Sequence, residues 1–418
     1  MDAGQPQHRP INSDGILLFT TRIMRLFAYG FLSVILVLYL AALGMSEWEI
    51  GLLVTLILVG DTVISLWITT NADRIGRRRM LIAGAALMLF AGILFAFTRN
   101  YIFLLIAGTI GVISPSGNEV GPFLALEQAA LTQIVPDNRR THIFAWYNLV
   151  GAFATGFGAL CGGGLAQALQ GGGMTSLDSY RIVVIVYALF GLALGLIFTR
   201  LSAGVEAPAG ARAASRRLNL GLHRSRKVVA QLSALFAMDA FAGGLVLQSF
   251  VAYWFHVRYG VQPAILGSIF FGANLLAGMS ALSAVRIAGR IGLINTMVFT
   301  HIPSNILLIL VPLMPSLPLA VAVLLLRFSI SQMDVPTRQS YTMAVVDPNE
   351  RSAAAGVTGV ARTLGAAVAP SITGQLMASA PLLSAPFVLA GSVKILYDLL
   401  LYRSFKALKP PEETREAT

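Results

Sequence analysis

Charged residues are scarce in this chain. They make up 12% of its 418 residues, whereas soluble domains average about 25%. Hydrophobic residues make up 56% of the chain, and the mean hydropathy is +0.74. A chain of this composition cannot cover itself with a polar surface, so an ordinary soluble protein is excluded. We predict an integral membrane protein.

Cysteine is nearly absent as well. Cys161 is the single cysteine, which excludes an internal disulfide, and a lone thiol makes no metal site. The five histidines are scattered along the chain, and no phosphate loop of the Walker type is present. We therefore expect no enzyme, no cofactor and no bound metal.

Long apolar runs take the place of the missing charge. They extend for about 20 residues, which is the length of a membrane-spanning helix. Membrane-spanning strands instead alternate apolar and polar residues in segments of about ten. The polar first fifteen residues lack a small-residue cleavage site, so we expect no cleaved signal peptide. We predict twelve spans, numbered 1 to 12, near 16–44, 49–71, 80–97, 101–133, 142–169, 180–201, 230–256, 263–288, 292–314, 318–346, 352–378 and 381–404.

The net charge of +11 is distributed unevenly between the two sets of connections. One set is rich in basic residues: Arg74, Arg77, Arg78, Arg79, Arg139, Arg140, Arg286, Arg290, Arg351, Arg403, Lys406 and Lys409, together with the central segment. The opposite set holds Arg99, Arg181 and Arg258. Basic residues are retained on the cytoplasmic side, so we expect both termini in the cytoplasm. Topology accounts for this charge, and we expect no nucleic-acid partner.

The two halves of the chain resemble each other at three places. The matching pairs are 24–30 with 238–244, 72–76 with 288–292, and 135–141 with 346–352, at offsets of 214, 216 and 211 residues. Such a repeat predicts an all-α membrane protein with two pseudo-symmetric six-helix bundles. We expect the bundles at 1–201 and 230–408, a cytoplasmic central loop at 202–229 and a disordered tail at 409–418.

The short turn between spans 2 and 3 reads Asp73-Arg74-Ile75-Gly76-Arg77-Arg78-Arg79. This pattern resembles the loop between the second and third helices of major facilitator superfamily (MFS) transporters. The resemblance implies the twelve-helix MFS fold and a latch that closes the cytoplasmic side in the outward-facing state. Carried over, the latch residues are Asp73, Arg74, Gly76, Arg77 and Arg78. The alternative is a cluster of positive charge that only sets topology.

This turn and its copy in the second half each depart from the family pattern at one position. Thr69 stands where the family usually has glycine four residues before the acid, and Gly289 replaces the acid in the second copy. We therefore expect a full latch in the first half alone.

A second family motif, rich in glycine and proline, is associated with proton-driven efflux and lies in span 5. The stretch 156–164 is rich in glycine but lacks the proline, and the closer match, 365–374, lies in span 11. This pattern favours efflux over uptake, although small residues also serve close helix packing.

Ionisable side chains at membrane depth are costly and usually mark function. The repeat relates Arg25 of span 1 to Asp239 of span 7, and Glu127 of span 4 to Arg338 of span 10, with the sign reversed. Spans 1, 4, 7 and 10 line the central cavity in the resembled family. We expect the pairs Arg25–Glu127 and Asp239–Arg338, with pairing across the bundles as the alternative.

These four charges have two possible roles. The arginines would hold an anionic group of the substrate, and Glu127 or Asp239 would bind and release the coupling proton. Alternatively, they are static ion pairs without a role in transport.

Further candidates for the site are polar residues in apolar surroundings. Glu119 and Asp334 are candidate ionisable residues, and Asn148 and Gln248 would offer hydrogen bonds to a substrate. Proline residues near Glu119 and Asp334 predict kinks in spans 4 and 10. Weaker candidates are Asp61, Arg327 and Arg362.

Together these features predict a monomeric secondary transporter in a bacterial-type cytoplasmic membrane. It would move a small organic solute by alternating access, with protons as the coupling ion and efflux as the direction. An uptake symporter is the second hypothesis, and a transporter-like membrane sensor that moves nothing is the third.

Overall fold

The computed structural model describes residues 13–119, 121–135, 140–206, 224–347 and 350–408. Within these ranges the regular structure is helical, and strands are absent. Most of the predicted central loop and all of the predicted tail lie outside the described residues.

Eight of the twelve predicted spans are single helices. They are Glu47–Ile75 (span 2), Arg77–Phe97 (span 3), Arg140–Gly171 (span 5), Ser176–Phe198 (span 6), Pro263–Ile291 (span 8), Leu293–Leu310 (span 9), Arg351–Met377 (span 11) and Ala385–Phe405 (span 12). N-cap side chains bind the first turns of spans 2 and 6. For example, Ser46 accepts from the N–H of Glu49, whose carboxylate in turn accepts from the N–H of Ser46.

The other four spans are each divided into two helices by a break. These pairs are Ser13–Ser33 and Leu36–Ala42 (span 1), Tyr101–Ile110 and Phe123–Ile134 (span 4), Arg226–Leu245 and Gln248–Tyr259 (span 7), and Leu317–Phe328 and Asp334–Ala344 (span 10). The breaks follow the sequence repeat, because span 1 corresponds to span 7 and span 4 to span 10. All four spans that carry the predicted charge set are therefore discontinuous.

The predicted kinks in spans 4 and 10 correspond to these breaks, with a difference in position. In span 4 the first helix ends at Ile110 and the second begins at Phe123. In span 10 the break covers 329–333, and Pro336 lies in the first turn of the following helix. A proline is tolerated there because the first-turn N–H groups have no partner within the helix.

By length and composition, nine helices of the described chain are apolar enough to cross a membrane. Spans 4 and 10 are missing from this set because their breaks leave helices that are too short. Span 11 is long enough, but it is rich in glycine, alanine and threonine and contains Arg362, which makes it less apolar. The twelve-span prediction therefore fits the fold once the breaks are counted.

The two bundles contact each other closely at one end. A Cβ added to Gly163 of span 5 would lie 2.2 Å from the carbonyl oxygen of Pro263 in span 8. A Cβ on Gly374 of span 11 would lie 2.2 Å from the carbonyl oxygen of Glu47 in span 2. At the opposite end of span 11, a Cβ on Gly356 would meet nothing within 4 Å. The bundles are thus closed together at the end opposite the basic turn 69–79.

Candidate functional site

The centre of the first bundle contains a buried ion pair between spans 1 and 4. The guanidinium of Arg25 donates to both carboxylate oxygens of Glu127, at 2.7 and 2.8 Å. Both side chains are fully buried. Tyr147 of span 5 and Thr21 of span 1 also donate to Glu127 through their hydroxyl groups. A carboxylate that is removed from solvent on burial is stabilised by such donors from the protein.

Glu119 joins a second arginine to this pair. It accepts from Arg25 at 2.6 Å and from Arg22 at 2.6 Å. Its side chain is 16% exposed, more than any other member of the group. We call Arg22, Arg25, Glu119 and Glu127 the first-bundle cluster; it contains two cations and two carboxylates.

The break in span 4 allows Glu119 to reach the arginines. Two glycines in the break, Gly117 and Gly121, have φ angles of 71° and 79°, a region that other residues rarely adopt. Asp61 of span 2 accepts from the N–H of Gly121 at 2.6 Å and so anchors the irregular backbone. Non-helical backbone at membrane depth is tolerated when buried polar groups satisfy it.

The second bundle contains a larger cluster around Asp239 of span 7. Arg338 of span 10 donates to Asp239 at 3.0 Å and to Asp334 at 2.9 Å. Lys394 of span 12 lies 2.5 Å from the other oxygen of Asp239. All four side chains are less than one-tenth exposed.

A histidine–carboxylate pair extends this cluster. His301 of span 9 contacts Asp398 of span 12 at 2.9 Å, and Asn305 donates to the same carboxylate at 3.0 Å. The other ring nitrogen of His301 lies 4.0 Å from Asp239. The second-bundle cluster comprises Asp239, His301, Asp334, Arg338, Lys394 and Asp398.

The predicted pairs Arg25–Glu127 and Asp239–Arg338 are both present, with charges reversed between the bundles. Among the described residues, the ion pairs of the two clusters stay within their own bundles. The sequence-based predictions omit four members of the clusters: Arg22, His301, Lys394 and Asp398. Lys394 and Asp398 are two charged residues four positions apart in an apolar span, so they lie on the same face of the helix. This spacing is visible in the sequence and could have marked them as candidates.

The two predicted hydrogen-bonding residues lie in different places. The Asn148 side chain lies beside the first-bundle cluster and accepts from Arg22 at 3.4 Å. Gln248 lies at the break of span 7, donates to Ser33 at the break of span 1 at 2.8 Å, and accepts from Asn274 at 3.1 Å. Gln248 therefore bridges the two bundles.

The turn predicted to form a latch is bound to its own bundle. Asp73 accepts from Arg77 at 2.8 Å, and Arg77 also donates to the carbonyl of Ala129 in span 4 at 3.1 Å. Gly76 has a φ of 116°, and Arg74 is exposed.

Glu206, which follows span 6, binds the start of span 3. It accepts from the backbone N–H groups of Arg77 at 2.8 Å and Arg78 at 3.3 Å. Arg78 also donates to the carbonyl of Thr199 at 2.6 Å. A carboxylate at a helix N-terminus is favoured by the unpaired N–H groups and the helix dipole.

Within the described residues, no group of three or more histidine, cysteine or acidic side chains is arranged to hold a metal ion. The side chains of both clusters bind one another through ion pairs and hydrogen bonds.

Known proteins share this architecture along almost its whole length. The uncharacterized membrane protein YJR124C of Saccharomyces cerevisiae is 31% identical, with 92% of each chain covered. The structure of the nucleoside transporter NupG has a TM-score of 0.72 at 12% identity, covering 94% of this chain and 99% of its own. A bacterial homologue of the human lysosomal transporter Spinster, inward-facing and occupied, has a TM-score of 0.72 at 16% identity, with coverage of 94% and 96%. The D-xylose–proton symporter has a TM-score of 0.70 at 16% identity, with coverage of 93% and 97%.

These solved structures are similar in fold alone, since their identities are low. The family assignment comes from the sequence, because a model of the Major Facilitator Superfamily matches residues 18–370. The twelve-span, two-bundle architecture and the match together confirm the resemblance seen in the turn at 69–79. The chain belongs to the major facilitator superfamily.

Proposed function

We propose that this protein is a proton-coupled secondary transporter that exports a small organic solute by alternating access. One observation carries the proposal. Each bundle buries carboxylates against cations at the discontinuous spans 1, 4, 7 and 10, in clusters related by the repeat with reversed sign. Buried ionisable groups in a transporter fold mark substrate or proton pathways.

The first-bundle cluster is suited to bind a proton. Its two arginines and two carboxylates balance in charge, and Arg25 is shared between Glu119 and Glu127. A proton on either carboxylate turns an acceptor into a donor, so Arg25 would keep one partner and lose the other. Glu119, at 16% exposure, is the member through which a proton enters.

The second-bundle cluster offers the same exchange with more partners. Asp239 is held by Arg338 and Lys394, and protonation would release one of these cations to a substrate or to Asp334. We assign the coupling proton to Glu127 or Asp239, with Glu119 and Asp334 as their exchange partners.

Alternating access would use the glycine contacts between the bundles. Spans 5 and 8, and spans 2 and 11, close one end through Gly163 and Gly374. When that end opens, the turn at 69–79 would come close to the second bundle and act as the latch. Asp73, Arg74, Gly76, Arg77 and Arg78 are its proposed residues.

We propose that the direction of transport is efflux, because spans 5 and 11 contain the small-residue pattern associated with it. Uptake is the second candidate, because close packing alone accounts for these glycines. For example, a Cβ on Gly158 would lie 2.0 Å from the carbonyl oxygen of Phe27, and one on Gly365 would lie 2.2 Å from that of Ala237.

The proposed location is the cytoplasmic membrane, with the termini and basic loops on the cytoplasmic side and the chain acting as a monomer. The charge bias of the loops supports this orientation. A bacterial source is not part of the proposal, because one relative, at 31% identity, is a yeast protein.

The test is proton flux in proteoliposomes that contain the purified protein and a pH-sensitive dye. Solutes from a chemical panel are added on one side at a time. We expect at least one solute to move protons, and the sign of the pH change to give the direction. Proton movement in the same direction as the solute would support uptake, and no solute-dependent flux across the panel would support the sensor hypothesis.

A further inference from the structure

Two arginines at membrane depth in the second bundle differ from all those in the clusters. Among the described residues, Arg327 of span 10 and Arg362 of span 11 form neither an ion pair nor a hydrogen bond, and the Nε of each is buried without a partner. Arg25 and Arg338 each contact two carboxylates. The arginines first predicted to hold a substrate anion are thus occupied, and these two are free.

Arg327 points toward the interior of the bundle. Residues three and four apart share one face of a helix, and this face contains Ala320 and Leu324, which are buried. Ser331, one turn later in the break of span 10, has a buried hydroxyl without a partner. The guanidinium carbon of Arg327 lies 4.9 Å from the ring centre of Phe328, within the range of a cation–π contact.

Arg362 lies on the side of span 11 that faces span 7. It is three residues before Gly365, whose added Cβ would lie 2.2 Å from the carbonyl oxygen of Ala237 in span 7. The electrostatic neighbours of Arg362 include Arg338, Asp239 and Asp334. The same two carboxylates are the neighbours of Arg327. Both free arginines therefore border the second-bundle cluster.

The charges around this cluster do not balance. Asp239, Asp334 and Asp398 supply three negative charges, whereas Arg338, Lys394, Arg327 and Arg362 supply four positive charges before His301 is counted. An unpaired cation at membrane depth is costly. The first-bundle cluster carries no such excess, so a negative ligand group would be stabilised in the second bundle.

We infer that Arg327 and Arg362 bind the anionic group of the transported solute, which makes the substrate an organic anion. The inference rests on the proposed transport function. Planar guanidinium groups donate two parallel hydrogen bonds to a carboxylate or a phosphate. The hydroxyl of Ser331, which is buried without a partner four residues after Arg327, is a further donor for this group.

Binding to the purified full-length protein tests this inference without any transport. The probes are sodium benzoate and sodium phosphate, with benzyl alcohol as the uncharged counterpart of benzoate, at constant ionic strength. We expect at least one anion to raise the Tm in a saturable way and benzyl alcohol to leave it unchanged. Equal effects of benzoate and benzyl alcohol, or no effect of either anion, would overturn the inference.

Variants then locate the site. Arg327→Gln and Arg362→Gln should each weaken anion affinity about tenfold or more, since a hydrogen bond to a charged group contributes about 1.5–3 kcal/mol. Arg327→Lys and Arg362→Lys keep the charge and should retain part of the affinity, and they serve if the glutamine variants fail to fold. Arg286→Gln, at an exposed position of span 8, is the matched control and should bind as the wild type does. Unchanged anion affinity in both glutamine variants would contradict the assignment. If the glutamine variants do not fold, unchanged anion affinity in both lysine variants would contradict it.

The two proposals can fail separately. Anion binding without solute-dependent proton flux would remove the transport proposal and leave the site. Proton flux with an uncharged solute and no anion binding would remove the anion site and leave the transport proposal.

Discussion

The guanidinium of Arg25 and the carboxylate of Glu127 form a two-bond pair, at 2.7 and 2.8 Å, and neither side chain is exposed. The pair joins span 1 to span 4 at the centre of the first bundle. Taking two charges out of water is costly, so such a pair is tolerated where geometry and further donors compensate each charge. Both conditions are met here by Glu119, Thr21 and Tyr147.

Removing one member of this pair should destabilise the protein strongly. Arg25→Met leaves Glu127 buried without its main partner, and the expected cost is about 3–5 kcal/mol. The double variant Arg25→Met/Glu127→Leu should cost less than the sum of the single variants. The measurement is the free energy of unfolding in mixed detergent micelles.

Arg181 and Asp178 provide a control, a single-bond ion pair on the surface. Their ion pair is also 2.7 Å long, but the side chains are 26% and 51% exposed. Arg181→Met should cost below about 1 kcal/mol. Equal costs for the buried and the exposed pair would contradict the energetic role assigned to burial.

Gly374 should control the closed end of the molecule. A Cβ there would lie 2.2 Å from the carbonyl oxygen of Glu47, so Gly374→Val must push spans 2 and 11 apart. We expect the distance between spin labels at the exposed positions Trp48 and Leu382 to increase. Gly356→Val, in open space on the same helix, should leave the distance distribution unchanged. An unchanged distribution in Gly374→Val would show that this contact does not hold the bundles together.

Glu206 should order the turn between spans 2 and 3. Glu206→Ala removes the acceptor of the N–H groups of Arg77 and Arg78, and losing such a cap costs about 0.5–2 kcal/mol. We expect faster amide hydrogen exchange at 76–79, measured by mass spectrometry. Substitution of Arg79, which is exposed, is the control. Faster exchange in Arg79→Ala but not in Glu206→Ala would contradict the anchoring role.

Lys394 should be required for the second-bundle cluster to work. Lys394→Met leaves Asp239 with Arg338 as its remaining close cation, and we expect solute-dependent proton flux to fall at least tenfold. Lys394→Arg keeps the charge and should retain part of the flux. Wild-type flux in Lys394→Met would show that span 12 contributes packing alone.

Much of this arrangement follows from sequence. Composition and run length predict the spans, and the repeat predicts two bundles with reversed charges. Because Arg25 and Glu127 are isolated charges on spans expected to face each other, their pairing could be inferred before any coordinates were known.

The remaining members of the site depend on helix rotation and backbone breaks. The sequence-based predictions name no site residue on span 12, yet this span directs Lys394 and Asp398 into the second-bundle cluster. Glu119 reaches Arg22 because the backbone in the break of span 4 is irregular and is held in place by Asp61. The contact with Asp61 joins residues that are distant in sequence, so no local sequence pattern predicts it. Arg327 and Arg362 are distinguished by their lack of partners, which becomes visible once every neighbouring side chain is placed.

In the proposed mechanism buried carboxylates carry the coupling proton, and solute movement in proteoliposomes tests this role most directly. Uphill movement driven by a pH gradient is compared with solute–solute exchange in the wild type, Glu127→Gln and Asp239→Asn. We predict that each variant loses gradient-driven movement at least tenfold while solute exchange continues. Gradient-driven movement at the wild-type rate in both variants would contradict the account.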